Sequence, residues 1–147
     1  LNKLDSKERR FVAETINTND SLYKEKFMAS MHHGESAQTE KQYAAQMTWD
    51  ETMAESIVNY LDKHQGSQVV HLAGNFHIEG GLGTATSILN RNPNLKVVII
   101  TPTPEITSDS TDSQLEVLAP PFRYVQDSNR MQAFSHLIKR NTDLECQ

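Results

Sequence analysis

Over the first 64 residues apolar side chains return every three or four positions, and from Gln68 onward they come in short unbroken runs. The first texture predicts helices and the second strands. Asp5 or Ser6 is placed to cap a short helix carrying Phe11 and Val12, and Asp20 or Ser21 to cap a second, on which Leu22, Tyr23, Phe27 and Met31 recur. A third helix is expected from Thr39 or Glu40 to about His64, with Tyr43, Met47, Asp50, Met53, Ile57, Tyr60 and Leu61 on one face. Asp50 is the polar member of that apolar face, so it predicts a buried carboxylate that needs donors.

The runs "QVVHLAG" (68–74) and "LKVVIITP" (95–102) read as strands, each ended by glycine or proline. Their lack of polar alternation suits strands covered on both faces, the habit of parallel sheets. The stretch from Gly83 to about Arg91 has helical spacing, which makes a βαβ unit with a right-handed crossover. "TPTPEITSDSTDSQ" reads as an exposed polar loop, "FRYVQ" as an edge strand after Pro120 and Pro121, and "RMQAFSHLIKRN" as a closing helix. The expected class is α/β: a helical cap subdomain over 1–47, then part of a mostly parallel sheet with flanking helices over 48–147. Two or three strands are fewer than the usual four to six. About half of the α/β core is therefore expected to lie outside this chain, with a partner chain or a second copy covering the open edge.

Composition narrows the function. The 147 residues carry a net charge of −5 and no Lys/Arg cluster beside aromatics, which excludes a nucleic-acid binder. Cys146 is the only cysteine, so an internal disulfide and a cysteine zinc site are both excluded. No apolar run reaches the ~20 residues of a membrane span. Leu1 stands where an initiator methionine is expected, so the chain reads as part of something longer, with any export signal or lipid attachment upstream.

The candidate chemistry lies in "HLAGNFHIEGGLG", residues 71–83. In an open parallel sheet, ligands bind beyond the carboxyl ends of the strands, near helix N-termini, and His77 falls at such a place. Gly74 ends the first strand, and Gly80, Gly81 and Gly83 loosen the loop before the helix, whose amides around 83–85 are placed to hold an anion. His71, inside an apolar run, reads as a satisfied core histidine. His32 and His33 are adjacent, and on a helix neighbours point about a hundred degrees apart, so they read as a polar helix end rather than a metal pair. His64 and His136 read as surface residues. "GLGTAT" imitates a dinucleotide fingerprint without its tight turn off the strand.

The set formed by Gln46, Trp49-Asp50, Met53-Ala54, Gly74-x-x-His77, Gly81 and Gly83 resembles the ChaN-like haem-binding lipoproteins of the Tiki and erythromycin-esterase superfamily, best over about 43–102. The resemblance implies haem as ligand and an iron-acquisition role at the periplasmic side of the bacterial envelope. It also implies homo-oligomers that bring haems together and membrane contact only through a lipid anchor outside this chain. It gives His77 as iron ligand or hydrogen-bond partner of a ligand, with Gly74, Gly81 and Gly83 as the loop around it. No tyrosine matches a family motif: Tyr43, on the cap helix, is the candidate for a haem role, and as a member of the helix stripe it reads first as a core aromatic. Asp50 either orients His77 or anchors its helix to backbone amides. Met47 and Met53 are placed to line a flat ligand, although Met at helical spacing is usually core packing. The family's first strand and first G-x-x-H motif have no counterpart here. Two alternatives stand beside a non-catalytic haem binder. One is a metal-dependent hydrolase of the same superfamily, which needs about three converging ligands; the other is a structural half without activity of its own.

Overall fold

The structure, a computed structural model, describes residues 3–19, 21–31, 36–119, 126, 128, 129, 131, 132 and 135. The chain divides into two compact units, Leu1–Glu116 and Val117–Gln147. In the second unit residues 128, 129, 131, 132 and 135 are helical. The rest of the expected closing helix, most of "FRYVQ", and His32, His33, Tyr124, His136 and Cys146 lie outside the described residues.

The first unit is α/β in content and helix-dominated. Helix α1 (Ser6–Arg9) starts at Asp5, whose carboxylate accepts from the Lys7 and Glu8 amides while the Glu8 side chain reaches back, a complete capping box. Helix α2 (Leu22–Ser30) starts at Ser21, whose hydroxyl accepts from the Lys24 amide. Helix α3 (Ser36–Lys63) is long and unbroken, and α4 (Thr84–Arg91) follows two 3-10 turns at Asn75–His77 and Glu79–Gly81.

Helix α3 is the spine. Thr39, Tyr43, Met47, Asp50, Ala54 and Val58 are buried along it, a spacing of three and four residues. The expected stripe holds as far as Asp50 and then shifts: Tyr60 is 47% exposed, and Ala54 and Val58 take the inner face against Ile88 of α4, with Leu95 and Val97 beside them. Small Ala54, fully buried, lets the two helices approach closely. A second cluster joins Tyr23 and Phe27 of α2 to Tyr43 and Met47, with Phe76 and Leu82 from the glycine-rich loop packed on it.

A charged clamp fixes α4 to α3 and to the segment after α1. Arg91 donates to Glu51 at 2.7 and 3.1 Å, to Glu55 at 2.7 Å and to the Thr15 carbonyl at 2.8 Å. Glu51, itself buried, also accepts from the Ser87 hydroxyl. Five donors and acceptors satisfying each other is what a buried charge requires.

The sheet differs from expectation. Strands β1 (Ile100–Thr103) and β2 (Ser113–Glu116) pair in parallel, Ile100 opposite Ser113 and Thr103 opposite Glu116. The run at 68–74 forms no ladder among the described residues, and Val70 and Leu72 stand 88% and 91% exposed. The expected βαβ unit is thus missing its first paired strand. Along 95–100 burial alternates: Leu95 and Val97 face the core, while Val98 and Ile100 are exposed. One face is covered, not two. Strand β2 was hidden in the polar loop, because Ser113, Gln114 and Glu116 give it no apolar alternation.

Candidate functional site

Helix α3 presents Gln46 and Asp50 four residues apart on the same face. The glycine-rich loop brings His77 to them, α2 brings Tyr23, and the first residue of α4 brings Thr84. Asp50 is fully buried and accepts three side-chain donors: the Tyr23 hydroxyl at 2.8 Å, the Thr84 hydroxyl at 2.6 Å and His77 Nδ1 at 2.9 Å. Thr84 and His77 share Oδ1, and Tyr23 holds Oδ2. A carboxylate faced by donors alone is the arrangement that lets it carry a negative charge out of water.

The tautomer of His77 follows. The carboxylate oxygen 2.9 Å from Nδ1 favours the tautomer with the proton on Nδ1 and the lone pair on Nε2. The Gln46 amide nitrogen lies 3.0 Å from Nδ1 and 3.4 Å from Nε2, and it donates to the Tyr23 hydroxyl oxygen at 2.8 Å. Nδ1 thus faces Asp50, and Nε2 faces the longer of the two Gln46 contacts. The His77 side chain retains 17% exposure, and the Trp49 ring, 64% exposed, lies nearly parallel to it at 6.3 Å between centroids.

Three contacts brace the loop. Lys26 pairs with Glu79 at 2.7 Å, Asp112 accepts from the Gly80 amide and the Thr101 hydroxyl, and Thr86 donates to the Gly81 carbonyl at 2.6 Å. Gly83 has φ +56° and lies so close under the His77 carbonyl that a Cβ there collides with it. Gly74, by contrast, has an ordinary extended backbone, with only a normal contact to His77 waiting for a side chain. Gly81, at φ +75°, turns the chain into α4.

The expected anion seat is filled by the protein itself. Gly83, Thr84 and Ala85 are buried, and the charge beside the first residue of α4 is Asp50, a position the helix dipole favours. Tyr43 lies in the aromatic cluster at 1% exposure, its ring against Tyr23 and Phe27 and its hydroxyl 3.3 Å from Ser21 Oγ. Met47 is in the same cluster. His71 departs from the satisfied core histidine expected: its Nε2 is buried without a hydrogen-bond partner among the described residues. His64 is exposed, stacked on Tyr60 with Nδ1 at the Tyr60 carbonyl. Among the described residues no three His, Cys, Asp or Glu side chains converge as a metal site.

Tyr23 and Thr84 were not legible as site residues, since each is an ordinary member of a helical pattern. Burial, and then the hydrogen bond and charge of Asp50, push the Tyr23 phenol above the ordinary tyrosine range against the opposing effect of the Gln46 amide. The fold therefore favours the protonated phenol. That contribution is intact below the unfolded value of about 10 and is lost as pH rises from there towards the folded value. Urea midpoints followed across pH 10 are expected to fall in the wild type and to fall less steeply in Tyr23→Phe; equal slopes would show that Tyr23 is not linked to folding.

Residues 1–88 match the family profile described as haem-binding uptake, Tiki superfamily, ChaN. The chain belongs to this ChaN family. The match takes in α1 to α3, the Asp50–His77 pair, and the first half of α4. It reaches further towards the N-terminus than the resemblance over 43–102 and stops before β1. Neither a curated protein nor a solved structure matches the chain. The ChaN description is one of haem uptake, and no described helix of this member is long and apolar enough to cross a membrane.

Proposed function

We propose that this chain is a non-catalytic haem binder of the iron-uptake apparatus at the periplasmic side of the bacterial envelope, with His77 as the residue on the iron. The observation that carries the reading is the Asp50–His77 pair: a buried carboxylate fixes the imidazole with Nδ1 protonated and Nε2 as the donor atom. Bound haem supplies an iron that needs an axial ligand, and imidazole is among the ligands it takes. Trp49 adds an exposed flat ring beside the imidazole.

These residues fit one face of a haem and do not enclose it. Two clefts among the described residues of the first unit, of about 400 and 240 Å³, are lined by residues such as Asn17, Asn90 and Arg91 or Tyr43, Met47 and Leu82, and by neither His77 nor Trp49. Pockets that bury a ligand of drug size run from about 300 to 1,000 Å³. The second wall is assigned to another copy of the chain in a homo-oligomer, and membrane attachment to a lipid anchor outside this chain. The exposed side chains of Ile100 and Leu115 on the sheet, with Val98 just before β1, support association.

A haemin titration followed at the Soret band tests the reading. Wild type is expected to saturate, with a stoichiometry that reports whether copies share a haem, and His77→Ala to bind at least about tenfold more weakly, a loss of about 1.4 kcal/mol. Equal binding by the two proteins would place the ligand elsewhere.

A further inference from the structure

We propose that the cleft between the segment joining α1 to α2 and the C-terminal half of α4 binds a neutral sugar, at a place separate from His77 and the haem it is assigned.

The clefts of about 400 and 240 Å³ share Asn17, Asn19, Glu51 and Asn90 among their lining residues, so they adjoin. The larger lies within the ~300–1,000 Å³ of small-molecule sites. Charge decides what can enter. Among the described residues the only charged side chains on the lining are Glu51 and Arg91, and they are paired with each other at 2.7 and 3.1 Å. An anion there meets the buried Glu51 carboxylate and a cation meets the Arg91 guanidinium. Drawing either away from its partner strands a charge at a cost of about 3–5 kcal/mol. An ion of either sign is therefore disfavoured.

Hydrogen bonding is what the cleft leaves unused. The Asn19 and Asn90 carboxamides make no hydrogen bond among the described residues, and Asn17 uses only Oδ1, which accepts from the Asn19 amide at 3.0 Å. Each carboxamide carries two donors and an acceptor. Glu51 Oε1 accepts only from the Ser87 hydroxyl, at 3.1 Å, although a carboxylate oxygen can take two donors. A wholly apolar ligand would cover these groups without satisfying them. A hydroxyl donates and accepts at once, so a ring bearing several of them suits a wall that offers both. The smaller cleft adds Leu22, Met47 and Leu82, with Leu22 71% exposed, as an apolar surface for the C–H face of such a ring.

The ¹⁵N-labelled full chain, titrated without haem against glucose, galactose and N-acetylglucosamine, tests the proposal through its side-chain amide signals. At least one of these sugars is expected to shift the Asn90 carboxamide signals saturably with a Kd below about 1 mM. The charged counterparts glucosamine and glucose 6-phosphate are expected to bind at least about tenfold more weakly. Asn90→Ala removes an exposed carboxamide with no partner in the fold, so the variant should keep the wild-type urea midpoint and bind the sugar at least about fivefold more weakly. It should bind haemin as wild type does. No saturable shift with any of the three sugars overturns the proposal, as does equal binding of the charged counterparts or unchanged sugar affinity in Asn90→Ala. Each of these results is independent of whether His77 holds haem.

Discussion

Asp50→Ala is expected to cost about 3–5 kcal/mol of folding stability, the range for breaking a buried charged network from one side. The substitution deletes the acceptor and leaves its donors. The Tyr23 and Thr84 hydroxyls are held against a fully buried carboxylate, Thr84 itself is 1% exposed, and His77 loses the group that orients its ring. Each stranded buried donor costs on the order of 1–3 kcal/mol, and only His77 is open enough to recover a partner from water. The loss should appear as a lower urea midpoint with an unchanged slope. Tyr23→Phe on the Asp50→Ala background should cost much less than on wild type, because the two substitutions remove the same hydrogen bond. Additive effects of the two would mean that Tyr23 and Asp50 stabilise the fold independently, against the geometry.

The same residues show what a one-dimensional pattern can and cannot carry. The start of α2 and most of α4 were legible because capping and helical spacing are local properties: Ser21 caps its helix whatever packs around it. Asp50 was legible because one carboxylate on an apolar stripe has to find donors, and His77 because a histidine beside glycines invites the question of what holds it. The identity of the donors was not legible. Tyr23 is 27 positions from Asp50 and Thr84 is 34 positions away, and nothing in their own segments distinguishes them from packing residues. The strands failed for the complementary reason. A strand exists by pairing, so "QVVHLAG" has the composition of a strand and no ladder among the described residues, while β2 has the ladder and not the composition.

Gly83→Ala is the other substitution with a large expected effect, about 3 kcal/mol or more, and its cause is steric rather than polar. Gly83 sits at φ +56° and ψ −123°, a backbone conformation that L side chains rarely adopt. An added Cβ also collides with the His77 carbonyl oxygen and comes to 3.0 Å from Cζ of the Tyr23 ring. Neither neighbour can yield freely. The His77 carbonyl belongs to the backbone of the loop, and the Tyr23 ring is packed against Tyr43 and Phe76 while its hydroxyl is fixed on Asp50. Relief by moving the loop displaces His77 from Asp50, and relief by moving the ring withdraws a donor from the same carboxylate, so Gly83→Ala should damage stability and haemin binding together. Gly74→Ala is the control in the same loop: its backbone is ordinary, its added Cβ meets only Cδ2 of His77 at 3.8 Å, and its stability should stay within about 1 kcal/mol of wild type. Thermal or urea unfolding of the two variants side by side decides the matter. If both glycines tolerate alanine equally, the close approach of Gly83 to His77 and Tyr23 does not hold the site.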